Sequence, residues 1–201
     1  MFTGLITATG TVSNITQLGK GLEVDISCNN AFSSDISIGD SINVNGVCST
    51  AISKTDSSFK VQYLEETLNK TTMSLIKEKD IVNLEPCLTL QTKLGGHLVS
   101  GHIDDTGTIS SFEKDGQWAV IKIDYNQQFA PFIIPKGSIA IDGISLTVVD
   151  AEISRLSCHL IPHTQENTSL KTKKSGDKIN LEFDQIGKYL YRFHSLENKS
   201  N

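Results

Sequence analysis

Shifted by 97 residues, this chain falls on itself without a gap. Gly4, Ile6, Gly10, Thr11 and Ser13 meet Gly101, Ile103, Gly107, Thr108 and Ser110, and further on Gly19 meets Gly116 and Phe32 meets Phe129. The segment VNGVCSTA at 44–51 lies on IDGISLTV at 141–148, with Gly46 on Gly143 and Thr50 on Thr147. Asn83-Leu84-Glu85 lies on Asn180-Leu181-Glu182. Ordinary composition does not produce that much agreement. A period this long exceeds any solenoid turn or propeller blade, so each copy is expected to be a whole small domain. The chain then divides into residues 1–97, residues 98–184 (with the repeat unit running to about 194), and a tail at 185–201.

Within each copy, apolar residues alternate over short stretches. LEVDI at 22–26 and AVIKI at 119–123 have the two-residue period of half-buried strands. Residues 41–44, 59–63 and 81–84 are short, β-branched and bounded by turn residues. About six such strands per copy predict an all-β chain of two similar six-stranded antiparallel Greek-key barrels in tandem. Short helical pieces are expected at 69–75 and 168–171. The one sustained helical pattern is QIGKYLYRFHSL at 185–196, where Ile186, Leu190, Phe193 and Leu196 share a stripe. A C-terminal α-helix should therefore follow the barrels.

Charge and cysteine usage exclude several classes. The net charge is −5 and the chain has only two arginines, Arg155 and Arg192, which leaves no basic stripe for nucleic acid. Cys28, Cys48, Cys87 and Cys158 lie far apart, with no CxxC pair to hold zinc or form a redox couple. No apolar run approaches the roughly 18 residues of a spanning helix, and MFTGLITATG lacks the regions of a signal peptide. These features predict a reduced, soluble, cytoplasmic protein with neither nucleic acid nor membrane among its partners.

The copies differ where chemistry would sit. Cys48 is answered by Ser145, Leu5 by His102, Phe2 by Val99 and Cys87 by Asp184. The scaffold is repeated while the polar and nucleophile-type side chains are not. That suits two bound molecules with unequal roles; the alternative is that one copy only supports the other. His97 and His102 are five apart with no third ligand nearby, so no metal site is expected. A histidine can instead relay protons near neutral pH.

MFTGLI at the start, NG-x-C-x-T at 45–50, GGHLVSGHID at 95–104, DGISLTV at 142–148 and DQIGKY near the end together resemble the riboflavin synthase family, α-chain type, from Met1 to about Lys188. The resemblance implies two lumazine-binding barrels and a C-terminal helix, assembled as a homotrimer. It implies conversion of two molecules of 6,7-dimethyl-8-ribityllumazine into riboflavin and 5-amino-6-(ribitylamino)uracil by transfer of a four-carbon unit. No metal or redox cofactor takes part, and lumazine synthase is among the implied partners. Donor and acceptor begin as one compound, so two copies of one pocket can hold them face to face. Gathering reactants this way is worth up to ~7–11 kcal/mol.

By the same resemblance, Cys48, His102, Ser145, Asp184 and His97 form the catalytic set. Cys48 and Ser145 would add to the lumazine C7 or steer water onto it; His97 has a structural role between the barrels as its alternative. Cys48, Ser49 and Thr50 line one pocket, and Ser145, Leu146 and Thr147 line the other. Gln62, Tyr63, Leu64, Glu65, Glu66 and Thr67 match His159, Leu160, Ile161, Pro162, His163 and Thr164 as segments that contact ring and ribityl chain. Gly4, Leu5 and Ile6 match Gly101, His102 and Ile103. Phe2 and Thr3 belong to the family's start, with Phe2 expected to stack on a flat ring, and Lys136 is implied as a partner for a polar ligand group. This chain departs from the family in having Ser49-Thr50-Ala51 where Leu-Thr-Val is usual, which reshapes the first pocket. The competing reading is a non-catalytic antenna that only binds lumazine or flavin; an antenna has no need of the asymmetric set.

Overall fold

The computed structural model describes residues 1–197; residues 198–201, the end of the expected tail, lie outside the described residues. In the first repeat, strands β1 (Ala8–Leu18), β2 (Gly21–Ser27), β3 (Ser41–Val44), β4 (Val47–Thr50), β5 (Ser53–Lys54), β6 (Ser58–Tyr63) and β7 (Ile81–Pro86) form an antiparallel sheet in the order β4-β3-β7-β1-β2-β6-β5. In the second, β8 (Asp105–Asp115), β9 (Trp118–Asp124), β10 (Ser138–Ile141), β11 (Ile144–Ala151), β12 (Arg155–Leu160) and β13 (Lys178–Phe183) close into a barrel in the order β10-β11-β12-β9-β8-β13. The expected all-β pair of barrels is present, with one difference. The fourth strand of the first repeat breaks at Ala51-Ile52 into β4 and β5, so the ladder there stays open.

Alternation decides what is buried. Ala119, Ile121 and Ile123 of β9 point into the second core with Leu156, Leu160, Ile179 and Leu181. Val24, Ile26, Phe59, Val61, Val82 and Leu84 fill the first. The hairpins that carry the pockets turn on Asn45-Gly46 (φ 48 and 87) and Asp142-Gly143 (φ 44 and 79). Positive φ at both central residues is what a tight two-residue hairpin turn demands.

Helix is confined to short pieces and the tail. Helices α1 (Asn30–Asp35), α2 (Glu65–Lys70) and α3 (Pro162–Asn167) precede α4 (Gln185–Glu197), and 3-10 turns run over Thr72–Leu75, Gln127–Phe132 and Ser169–Thr172. The pieces expected at 69–75 and 168–171 thus begin earlier and change to 3-10 geometry after Lys70 and Asn167. Helix α1 and the turn at Gln127–Phe132 show no apolar period; Asn29 and Asn126 cap them, accepting from Phe32 N at 2.8 Å and Gln128 N at 3.2 Å. Tail helix α4 is tied down by Lys188, whose Nζ lies 2.9 and 2.7 Å from the two carboxylate oxygens of Asp104, and by the Tyr191 ring against Phe132. Its stripe of Ile186, Leu190 and Phe193 faces outward, each more than half exposed. Among the described residues no helix is long and apolar enough to cross a membrane.

The barrels meet about a local twofold made by the repeated asparagines. Asn83 Nδ2 donates to Asp142 O (2.9 Å) and Asn180 Nδ2 to Asn45 O (2.8 Å). In turn Asn83 Oδ1 accepts from Ser169 N (2.6 Å) and Asn180 Oδ1 from Thr72 N (2.7 Å). At the axis a Cβ on Gly46 would lie 2.9 Å from Gly143 N, and one on Gly143 2.8 Å from Gly46 N. These two glycines are required by close approach as well as by φ.

The repeats also exchange their leading segments. Phe2 and Val99 bond each other through both backbone pairs, at 2.7 and 3.1 Å. From that crossing, Ile6 packs into the second core and Ile103 into the first.

Candidate active site

The exchange builds each pocket from both repeats. In the first, Cys48 on β4 donates its N–H to Gly101 O at 2.8 Å. A Cβ on Gly101 would lie 2.6 Å from Cys48 Cβ, so only glycine fits there. His102 follows, exposed, with its N–H on Ser100 Oγ at 3.1 Å. The backbone that leads into His102 therefore lies against Cys48. Phe2 is fully buried against Val99 and Ala140, with Cys48 and Cys87 packed on the cluster. It forms the wall behind the thiol, and its ring has no open face for stacking.

Beside this, a depression of about 430 Å³ is lined by Leu18, Leu22, Gln62, Tyr63, Leu64, Glu65 and Glu66. Glu65 pairs with Lys20 at 3.2 Å, and Gln62 Nε2 donates to Glu23 at 2.9 Å. Thr50 is exposed and Thr67 half-buried. Ser49 is buried, its hydroxyl 3.0 Å from the Tyr63 hydroxyl. At a shift of 97 the pair Ser49 and Tyr63 falls on Leu146 and Leu160 of the other barrel.

The second pocket repeats the frame with different chemistry. Ser145 N on β11 donates to Gly4 O at 2.8 Å, and a Cβ on Gly4 would lie 2.6 Å from Ser145 Cβ. Leu5 occupies the place that His102 takes in the first pocket, and it is exposed. Ser145 Oγ lies 2.7 Å from His97 Nδ1, and His97 N donates to Thr3 O at 3.1 Å. Burial pushes the His97 imidazole below its ordinary pKa, while the charges of Asp184 and Glu182 pull it back. Asp184 also starts α4, its Oδ1 accepting from Ile186 N at 2.9 Å. Ser145 is thus in contact with His97, and His97 in turn feels the charge of Asp184.

Thr147, His159, Ile161 and His163 are exposed, Leu146 and Thr164 half-buried and Leu160 buried, and Pro162 opens α3. Lys136 is exposed at φ 66, its N–H on Val148 O at 2.7 Å, where the first repeat has Gly39. A non-glycine residue in the left-handed region is uncommon, and here it stands at a turn, as Lys79 does at φ 75.

Two residues with no role assigned from sequence hold the exchanged segments. Glu85, buried on β7, accepts from Thr3 N (2.7 Å), Thr3 Oγ1 (2.6 Å) and Gly4 N (3.1 Å). Glu182, buried on β13, accepts from Ser100 N (2.6 Å), Ser100 Oγ (2.7 Å) and Gly101 N (2.9 Å). Burial raises the Glu85 carboxyl above its ordinary range against the bonds from Thr3 and Gly4. The signal was available: an Asn-Leu-Glu strand repeated in both halves puts a carboxylate at the same buried place twice.

A larger cleft, about 500 Å³, opens between the barrels along Thr72–Leu75 and residues 172–178 and takes in none of the candidate residues. Among the described residues, no three His, Cys, Asp or Glu side chains gather where they would hold a metal ion.

The model of the lumazine binding domain matches this chain twice, at residues 3–86 and 100–184. Fold and paired pockets thus define a tandem lumazine-binding protein. Curated relatives narrow the class. The chain is 40% identical over 193 residues to the riboflavin synthase of Actinobacillus pleuropneumoniae, covering 96% of this chain and 89% of that one. It is 36% identical over 200 residues to the riboflavin synthase of Bacillus subtilis (strain 168), covering 100% and 93%. The chain belongs to the riboflavin synthase family. Among solved structures, LumP complexed with riboflavin superposes with a TM-score of 0.86 at 19% identity, covering 91% of this chain and 99% of that one. At that identity the likeness speaks for the fold alone.

Proposed function

We propose that this chain converts two molecules of 6,7-dimethyl-8-ribityllumazine into riboflavin and 5-amino-6-(ribitylamino)uracil, as a transferase that moves a four-carbon unit from one lumazine to the other. The observation that carries this reading is the unequal equipment of two otherwise equivalent pockets: Cys48 with His102 in the first, Ser145 with His97 and Asp184 in the second. In the second pocket a neutral His97 accepts the Ser145 hydroxyl proton. That makes the oxygen a better nucleophile, or a better guide for water, toward the lumazine C7. In the first pocket Cys48 takes the matching place, and His102 receives protons from the acidic 7-methyl group. Gln62, Glu66, Thr67, His163 and Thr164 offer polar groups to the ribityl hydroxyls, and Lys136 serves a polar ligand group.

The copies are joined directly around Gly95–Val99, too short a link for their pockets to face each other, so in this reading the stacked lumazines lie between the first pocket of one subunit and the second pocket of a neighbour. The outward stripe of α4 is the surface for a homotrimer. The same reading places the reaction in the cytoplasm, without metal or redox cofactor, and puts lumazine synthase among the partners. The decisive experiment mixes the protein with 6,7-dimethyl-8-ribityllumazine and follows riboflavin absorbance and emission. Binding without conversion at every pH would favour the antenna reading. Co-refolding Cys48→Ala with Ser145→Ala chains tests the intersubunit site: one intact pair of pockets should form, and mixed oligomers that stay inactive would place the whole site within one chain.

A further inference from the structure

The two barrels differ in what closes the wall under the pocket. In the second, β11 runs past Ser145 and joins β12 at Val148↔Cys158 and Ala151↔Leu156. In the first, the strand that carries Cys48 ends at Thr50, and its ladder runs to β3. Pairing with β6 resumes only in β5, at Ser53↔Lys60 and Lys54↔Phe59, beside the bond from Ile52 N to Lys60 O at 2.9 Å. Nearer Cys48 the seam is spanned by side chains, Ser49 Oγ and Tyr63 Oη at 3.0 Å.

The direction of that bond follows from proton count. Ser49 has one hydroxyl proton and gives it to Val47 O at 3.0 Å, so Tyr63 donates to Ser49. Both side chains are buried, Ser49 at 2% and Tyr63 at 3% exposure, and a buried hydroxyl without a partner is strongly disfavoured. Burial raises the Tyr63 phenol well above its ordinary value, so it stays protonated and donating. Ser49 is the residue next to Cys48 on β4, so the bond ties the phenol to the strand that carries the thiol.

We propose that Tyr63 is a positioning residue for Cys48: through Ser49 it latches the open seam of the first barrel and holds the strand that presents the thiol to the pocket. The proposal rests on Cys48 as the reacting group of that pocket. It accounts for the departure at Ser49, since a leucine there would leave the phenol without its acceptor. The second barrel closes without a break in its strand, with β11 pairing β12 on both sides of a bulge between Val148 and Ala151; it packs Leu146 and Leu160 at this place and needs no latch.

The test compares Tyr63→Phe, which keeps the ring and removes the donor, with Ser49→Leu/Tyr63→Leu, which copies the second barrel. Cys48 labelling by iodoacetamide is followed by peptide mapping, with and without saturating riboflavin, alongside kcat and KM. In Tyr63→Phe the labelling rate should change about fivefold to tenfold, riboflavin protection should weaken, and kcat should fall by a similar factor with a smaller change in KM. The double variant should bring the Cys48 labelling rate back to within about twofold of the unaltered chain, because packed leucines close the seam in another way. Wild-type labelling, protection and turnover in Tyr63→Phe would overturn the proposal. So would a double variant that folds and whose Cys48 labelling rate stays as far from that of the unaltered chain as in Tyr63→Phe. Labelling and protection need no turnover, so a chain that makes no riboflavin would refute the proposed activity while still deciding the role of Tyr63.

Discussion

Replacing Glu182 should damage the pocket of the opposite barrel. Its carboxylate is 1% exposed and holds Ser100 and Gly101 through three donors, and Gly101 O in turn receives Cys48 N. Glutamine has one acceptor oxygen, so Glu182→Gln leaves at least one buried N–H facing an amide NH2. Losing a bond to a charged acceptor and stranding its donor destabilises by ~2–4 kcal/mol. Typical domains have ~5–15 kcal/mol in reserve, so the chain should still fold. Urea denaturation would read the stability loss, and iodoacetamide labelling would read the pockets, with Cys48 reporting on the first and a Ser145→Cys background on the second. Glu182→Gln should abolish riboflavin protection of Cys48 and largely spare the thiol at 145. Glu85→Gln should do the reverse, because Glu85 holds the segment that reaches Ser145. If each variant instead impaired the pocket of its own barrel, or neither lost more than ~0.5 kcal/mol, the exchanged segments would not be what these carboxylates hold.

Three further outcomes follow. Because burial lowers the His97 pKa, the imidazole stays neutral below its ordinary value near ~6.5, so the acid limb of turnover should fall below that pH. Asp184→Asn, which removes a charge that raises the His97 pKa, should shift the limb lower still; a shift upward would disconnect His97 from the reaction. The Asp142 carboxyl is raised by burial despite Lys173 at 3.4 Å. It therefore adds stability below the ordinary carboxyl range and loses that contribution as pH rises through the raised value. Asp142→Asn with Lys173→Ile, copying Asn45 and Ile76 of the first repeat, should then stabilise the chain by ~1–3 kcal/mol at neutral pH and less in acid; urea midpoints that fall at pH 7 would contradict this. Residues 1–97 alone lack the 101–103 wall over Cys48, so they should bind riboflavin as a dimer in which residues 2–6 of each copy cover the other. A monomeric fragment that binds equally well, seen by sedimentation, would count against the exchange.

The architecture was legible because duplication and alternation are both local in sequence: 22–26 and 119–123 announce strands without reference to anything distant. The break at Ala51-Ile52 was not, since 47–54 carries no glycine, proline, asparagine or aspartate and only the ladder to β6 exposes it. The pairing of site residues was the least visible. Cys48 and His102 lie in different repeats, and nothing in their spacing says that the segment from Val99 crosses to the other barrel. The Ser145–His97 contact was hidden for the same reason, although both residues were candidates. Glu85 and Glu182 were visible as a repeated carboxylate on a buried strand, but their partners come from the segments that cross.

The crossing has a consequence for how two such pockets can diverge. A single-repeat ancestor with these pockets would have been a dimer in which each copy supplied the same piece to its neighbour, so both pockets had to be identical. Joining two copies in one chain keeps the contacts and frees the pieces to differ. Leu5 and His102 now differ, and each alters the pocket of the repeat that does not encode it. Inherited change in one half of this chain is therefore expressed in the other half's site.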